Sequence, residues 1–307
     1  MILDVDIPDY VGYDNPQQNT GKMKTTGFEI EMSWNDHIND FHYGISANLS
    51  DYRSKMGYLG GNQFLGDRIK RMGSYFNEWY GYRTDGIFQT SEEIANTPVM
   101  NNNVKPGDIK YLKADPTDNS PISPDRDRVL LGNSQPRFLY GATLNADYKG
   151  FDLNISMQGI GKQLQCKKTE MVQPLRNNFG AIPRLIDGKY WSNYNTPEQN
   201  AEAKYPRLTS TQSGHNYAMS DFWLFNGAYF RLKNITVGYT VPKHLTEKLS
   251  IKSLRIYLSA NDILCFSKYP KGWDPENSSD VIGGTDNKDF YPITRSILGG
   301  INLSLIH

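Results

Sequence analysis

Between Arg137 and Gly161 the chain alternates apolar and polar residues through two successive runs. Phe138, Tyr140, Ala142, Leu144, Ala146 and Tyr148 share one parity, while Leu139, Gly141, Thr143, Asn145 and Asp147 share the other. Beyond Lys149-Gly150, the residues Phe151, Leu153, Ile155 and Met157 alternate with Asp152, Asn154, Ser156 and Gln158. Successive side chains of a strand leave on opposite faces, so the pattern predicts two strands joined by a tight turn. Each strand is about ten residues or longer, roughly twice the common soluble strand and enough to cross a bilayer at a tilt. One face is apolar with aromatics near its ends; the other carries neutral polar groups. That division is expected where lipid wets one side and a watery lumen the other. A soluble sandwich strand alternates in the same way, so this hairpin alone leaves both architectures open.

The same build recurs along the chain. Phe28, Ile30, Met32 and Trp34 alternate with Glu29, Glu31, Ser33 and Asn35. A polar turn over 36–40 leads into Phe41, Tyr43, Ile45, Ala47 and Leu49, set against His42, Gly44, Ser46, Asn48 and Ser50. A third pair opens with Ile235, Val237, Tyr239 and Val241 and turns through 242–253, with room for one helical turn. It returns with Leu254, Ile256, Leu258 and Ala260, and a last strand follows with Ile297, Gly299, Ile301, Leu303 and Leu305. Between the pairs lie long stretches without sustained period, at about 53–136, 162–228 and 264–290, and 1–21 reads as loop. Short and long connections thus alternate, as in outer-membrane barrels with tight periplasmic turns and long external loops. Soluble sandwiches rarely carry three such long connections. The fold class expected is all-β: a portion of a large antiparallel transmembrane β-barrel with about seven strands. Seven strands leave two raw edges, so more strands are expected beyond those here.

Composition narrows the function classes. A formal net charge of zero argues against a nucleic-acid partner, which selects a basic surface. No apolar run is long enough for a transmembrane helix, a test to which barrel strands are blind. The start, Met1 to Asp6, lacks the basic and apolar regions of a signal peptide, so an exported protein is expected to have its front elsewhere. The spacing of Cys166 and Cys265 forms no metal motif and does not establish a disulfide. His37, His42, His215, His244 and His307 show no metal-ligand spacing, and His42 falls on the predicted lumen side. No nucleophile motif or phosphate-cradling glycine loop is present, so the chain does not read as an enzyme.

Another set of segments runs through the chain in order: Gly21-Lys22-Met23, YGYRTDGIFQT over 80–90, PGDIKY over 106–111, Tyr148 to Leu153, AKYPRL over 203–208 and WLFNGAYFRLKNITVGYTVP over 223–242. Leu254 to Tyr257, Lys268-Tyr269, Trp273-Asp274-Pro275-Glu276 and the stretch from Tyr291-Pro292 to Leu303 continue it. Together, and in this order, they resemble SusC/RagA-type TonB-dependent outer-membrane transporters. The resemblance implies a barrel of about 22 strands with a plugged lumen, of which residues 1–307 would be the C-terminal part. The N-terminal plug, the TonB-contacting segment and the signal peptide would lie outside the chain. It implies import of an oligosaccharide or peptide across the cell outer membrane of a Gram-negative, Bacteroides-type bacterium. The partners implied are a SusD-like surface lipoprotein, the TonB complex and the lipid bilayer. Two departures stand out. Relatives often carry a calcium-type loop where this chain has Asp115, Asp118, Asp125 and Asp127, but the glycine of the sharp turn is missing. The expectation is therefore no cofactor and no metal, with those four aspartates the weak candidates for calcium. At the end, Leu305 stands where an aromatic residue is usual and Ile306-His307 trail.

Flat rings in long loops suit sugar or peptide stacking, so Trp79, Tyr82, Trp191, Tyr194, Trp223 and Trp273 are the candidate ligand contacts. The bland alternative is that they pack the loops together. Arg71, Arg83, Arg184 and Arg207 are candidates to orient an acidic or hydroxylated ligand. Two other functions compete with import: a secreted all-β carbohydrate-binding module or adhesin, and a glycoside hydrolase using Asp125 and Asp127.

Overall fold

A computed structural model describes residues 3–4, 12, 17–18, 21–59, 61–166, 173–175, 182, 184, 186–210, 213–276 and 293–305. A two-residue pair, β1 (Leu3–Asp4) with β2 (Gln17–Gln18), precedes the main body. The strands β3 (Met23–Ile38) and β4 (Phe41–Met56) form the first long hairpin. Short strands follow: β5 (Gln63–Leu65), β6 (Arg68–Lys70), β7 (Glu78–Gly81), β8 (Thr84–Ile87), β9 (Ile109–Tyr111) and β10 (Val129–Gly132). Then come β11 (Arg137–Tyr148), β12 (Phe151–Lys162), β13 (Leu164–Cys166), β14 (Leu224–Asn226), β15 (Tyr229–Thr240), β16 (Ile251–Ser267) and β17 (Ser296–Leu305).

Seven long strands make one antiparallel sheet in the order β17-β16-β15-β12-β11-β4-β3. Every neighbour in space is a neighbour among the long strands in sequence, which makes the sheet an up-and-down meander. The short connections all lie at one end. Lys149 and Gly150 both take positive φ, 46° and 89°, the geometry that matches a two-residue turn to the twist of its strands. The β3–β4 turn is tighter than the five-residue polar run suggested: only Asn39 and Asp40 are unpaired, with Ile38 opposite Phe41 and Asn39 at φ 52°. The third turn holds one helical turn at Lys243–Thr246 and ends on Ser250 in the left-handed region.

On one face of the sheet the large apolar residues are bare: Met32 is 65% exposed, Trp34 61%, Ile297 73% and Ile301 67%. Ile30, Ile45, Val237, Ile256, Leu258 and Leu303 join them. Among the described residues nothing is layered over this face, and a patch of that extent exceeds what soluble proteins leave uncovered. Aromatics gather at its turn end, where Phe41 meets Tyr43 and Tyr148, and Phe151 meets Tyr239 at 4.6 Å between centroids. Toward the other end Tyr140 lies across Gly159, where a Cβ would strike its ring, and Phe230 stands against Phe266. From Tyr140 to Tyr148 is roughly 25 Å along a strand, the height of the apolar band of a membrane barrel.

The long connections, expected to be irregular, are folded and carry the buried core. Their short strands pair as β10-β7-β6-β5, β8-β9 and β13-β14. Trp79, Tyr82, Ile109, Tyr111, Ile122, Cys166, Tyr217, Met219 and Trp223 form one buried cluster. Two of the long connections therefore interlock as a single module above the sheet, and Trp273 from the third packs on it. Cys166 and Cys265 are both free thiols.

Candidate functional site: a polar wall beneath a packed loop module

Across the middle of the face opposite the apolar band, neutral polar side chains cross-link one strand to the next. Asn154 donates to Asn145 at 2.5 Å, and Asn234 donates to Ser259 at 2.9 Å and Asn261 at 2.7 Å. Thr236 and Ser259 hydroxyls lie 2.8 Å apart, and Asn261 donates to Ser296 at 3.0 Å. These residues sit there because period-two alternation sends one side chain in two to this face. An open recess of about 460 Å³ is lined in part by Glu31, Ser46, Asn48, Thr143, Ser156 and Gln158. Neutral amides and hydroxyls both donate and accept, so such a wall can exchange hydrogen bonds with a hydrated solute without fixing its charge.

Charge concentrates at the loop end of the wall. Register shifts between Leu232 and Asn234 in β15, with Asp262 at φ 52° opposite, mark a bulge, a device that re-aims side chains. Here it turns Arg231 and Lys233 toward the Trp273 to Glu276 segment. Arg231, 2% exposed, pairs with Asp274, with Glu276 at 3.0 Å and with Asp262 at 3.5 Å. Lys233 reaches Asp262 at 2.8 Å and Glu276 at 3.3 Å. A second buried pair, Arg137 with Asp51, ties β11 to β4 where the loops begin. The first anchors the wall to a loop; the second joins two wall strands.

The loop module is organised around 106–111. Gly107, at φ 93°, lies so close under the Trp191 ring and Arg207 that a Cβ would clash with both. Asp108, wholly buried, accepts from Asn216 at 2.9 Å and from Arg207 at 3.1 Å, and the two charges form an ion pair. Ile109 fills the core, Lys110 bridges Asp85 and Glu93, and the Tyr111 hydroxyl donates to the His215 carbonyl. Burial pushes the His215 imidazole below its ordinary pKa, keeping it neutral against the Ile109 carbonyl at 2.9 Å.

The six candidate aromatics divide sharply. Trp79 is buried, with its indole N–H on the Leu164 carbonyl at 2.9 Å and Arg68 stacked on its ring at 4.3 Å. Tyr82 lies tilted against the Tyr111 ring, 5.0 Å between centroids, inside the cluster. Trp191 covers Gly107 and donates to Gln89 at 3.1 Å, and Trp223, 1% exposed, donates to the Asn216 carbonyl at 2.8 Å. Trp273 is half-buried against the same cluster. Protein already occupies the faces of the four buried rings. Tyr194 differs: it is 99% exposed, on a loop fixed by Asn195 and Asn200 hydrogen bonds. Of the arginine candidates, Arg207 is committed to Asp108, while Arg71, Arg83 and Arg184 are exposed.

Two of the four aspartates weighed for calcium, Asp118 and Asp127, are brought together around a cation the chain supplies itself. Lys113 stands 2.7 Å from Asp118 and 2.9 Å from Asp127. Its bond holds the Asp118 carboxyl far below the usual range, helped by the Ser120 hydroxyl and amide. Asp115 accepts from Thr117, and Asp125 points to solvent at the start of a one-turn helix. Asp125 and Asp127 are thus engaged differently, Asp127 by Lys113, Ser123 and Ala114, and they present no open carboxylate pair. Among the described residues no three potential ligands gather as a metal group.

An antiparallel meander of long strands, bare and apolar outside, polar within, with its long connections at one end, is a stretch of transmembrane β-barrel wall. Comparison with known proteins gives the same answer. The chain is 27% identical, over 97% of its length and 30% of the other's, to TonB-dependent receptor P3 of Formosa agariphila. It is 24% identical to the TonB-dependent receptor SusC of Bacteroides thetaiotaomicron, over 93% of its length and 27% of SusC. The solved structure of the RagAB peptide transporter matches its fold with a TM-score of 0.72 at 24% identity, over 99% of this chain and 31% of that one. No protein-family profile matches. The chain is a homologue of SusC/RagA-type TonB-dependent receptors, and it spans less than a third of the length of the curated relatives it matches.

Proposed function

We propose that this chain is the C-terminal part of the barrel of an outer-membrane importer, supplying seven of about 22 strands. Its cargo in this reading is an oligosaccharide or peptide, moved unchanged and driven through TonB, with a SusD-like lipoprotein seated over the loop end. The observation that carries the proposal is the opposed character of the two sheet faces: bare hydrocarbon-compatible surface on one, a hydrogen-bonded polar ladder on the other. The relatives' names support it, since they are receptors and a peptide transporter rather than enzymes. The exposed apolar face speaks against the secreted binding module, which would precipitate with it uncovered. Calcium has no part in this reading, because Lys113 fills the space between Asp118 and Asp127.

Tyr194 is the loop aromatic proposed to touch cargo or lid, because its ring is free on both sides. The test is uptake by cells carrying the full-length transporter, offered labelled oligosaccharides and labelled peptides with and without a TonB deletion. TonB-dependent accumulation of either class supports the proposal. A chain that is monomeric, stable and β-rich in buffer without detergent would overturn it.

A further inference from the structure

We propose that His37 and His42 form a two-imidazole binding site for a late first-row divalent ion, with Cu²⁺ the tightest, at the turn end of the polar wall. The inference does not depend on the import reading. The two-residue turn at Asn39-Asp40 makes His37 and His42 direct cross-strand partners. Ile38 and Phe41, between them and the turn, belong to the apolar face, so both imidazoles emerge on the polar one. Their rings are stacked, with centroids 5.5 Å apart and planes inclined at 23°, and both residues are exposed. The His37 amide donates to the Asp36 carboxylate at 2.8 Å, which stiffens the approach to the turn. Two imidazoles already side by side need only small χ changes to bring one nitrogen each to about 2.0–2.1 Å from a shared ion. Such ligands suit copper, nickel and zinc, in the order that places Cu²⁺ highest.

The neighbourhood favours a cation. Asp147 stands opposite His42 on β11, and no basic residue pairs with either histidine in the register. The next carboxylate in that row, Asp152, is already held by Arg255 at 2.9 Å. No third ligand joins the group among the described residues, so water completes the coordination and Asp147 acts only through its charge.

The experiment titrates Cu²⁺, then Zn²⁺, into the purified full chain in detergent micelles, prepared without a polyhistidine tag. One Cu²⁺ per chain is expected, with an electron paramagnetic resonance spectrum showing coupling to two nitrogens. His37→Ala and His42→Ala should each weaken binding at least tenfold, Asp147→Asn several-fold, and His244→Ala not at all. A measurement on the unaltered chain guards against misfolded variants: substoichiometric Cu²⁺ should broaden the His37 and His42 ring resonances before those of any other histidine. Equal affinity in the His37→Ala, His42→Ala double variant, or earlier broadening at His244, would overturn the proposal.

Discussion

The seven-stranded sheet and the loop module use the same large apolar residues and bury them in opposite senses. In the sheet, Trp34, Met32 and Ile301 face outward with no described residue layered over them. In the module, Trp79, Trp191 and Trp223 turn inward, and each indole N–H finds an oxygen of the chain. What surrounds each region explains the inversion. Lipid hydrocarbon receives a bare leucine at no cost, so a sheet in a membrane needs no core on that side. Loops in water must assemble a core of their own, and two connections separated by two long strands do so together. The wall is stabilised by its solvent and its ladder; the module is stabilised like a small soluble domain.

The largest effect that separates them is expected in the module. Trp223→Ala should cost about 3–5 kcal/mol of module stability, the range for emptying a buried aromatic site. Limited proteolysis should then cut the loops while the sheet keeps its β signal and its resistance to detergent at room temperature. Simultaneous melting of both regions would break the comparison, since it would make them one cooperative unit. In the wall the decisive substitution is Leu258→Arg on the apolar face. It should cost about 2–4 kcal/mol in lipid, as a charge near the bilayer midplane does. Thr143→Arg, on the polar face, should cost under about 1 kcal/mol, as for charges with access to water. Urea titrations in lipid vesicles read both, and equal costs would show that the Leu258 side does not meet hydrocarbon.

A third, smaller effect is set by pH. The His215 imidazole is held below its ordinary pKa by burial, so the unfolded module binds a proton that the folded one resists. Stability is therefore complete above about pH 6.5, the unfolded value, and falls as pH drops toward the depressed folded value. The slope is at most about 1.4 kcal/mol per pH unit for one such group. Tryptophan fluorescence should report the module loosening between pH 7 and 5 with the sheet unchanged, and His215→Asn should flatten the profile. A pH-independent midpoint in the unaltered chain would mean that His215 is reached by water.

How much of each region could be read in advance follows from the same contrast. Period two survives in a wall strand because each face has one constant solvent, and all seven long strands were legible from alternation. The tight turn at Asn39-Asp40 was not: the polar run from Asp36 to Asp40 continues into strand because Asp36 and His37 still pair with Tyr43 and His42. That error of boundary also hid the histidine pair, which only the correct register brings together. The module was illegible for another reason. Its contacts join residues such as Asp108 and Arg207 or Trp79 and Leu164, and no local period records a partner so far along the chain. The family-like segments marked where it is built, and Gly107 beneath Trp191 shows why one of them needs glycine. Which rings would be buried was not visible in residue type, since a tryptophan that stacks on sugar and one that fills a core are spelled alike.

Tyr194 tests the remaining link, from module to cargo. Its ring contributes nothing to the cluster and carries no hydrogen bond from its hydroxyl to the described residues, so Tyr194→Ala should change stability by less than about 0.5 kcal/mol. If cargo or lid stacks on it, uptake should nonetheless fall, by roughly 5- to 150-fold for the loss of one stacking contact worth about 1–3 kcal/mol. Tyr194→Phe should restore it, because the face of the ring rather than the hydroxyl makes the contact. Normal uptake by Tyr194→Ala would place recognition on the polar wall instead. Thr143 and Ser156, which border the recess, would then be the residues to change, and the module would serve only to hold the mouth of the barrel in shape.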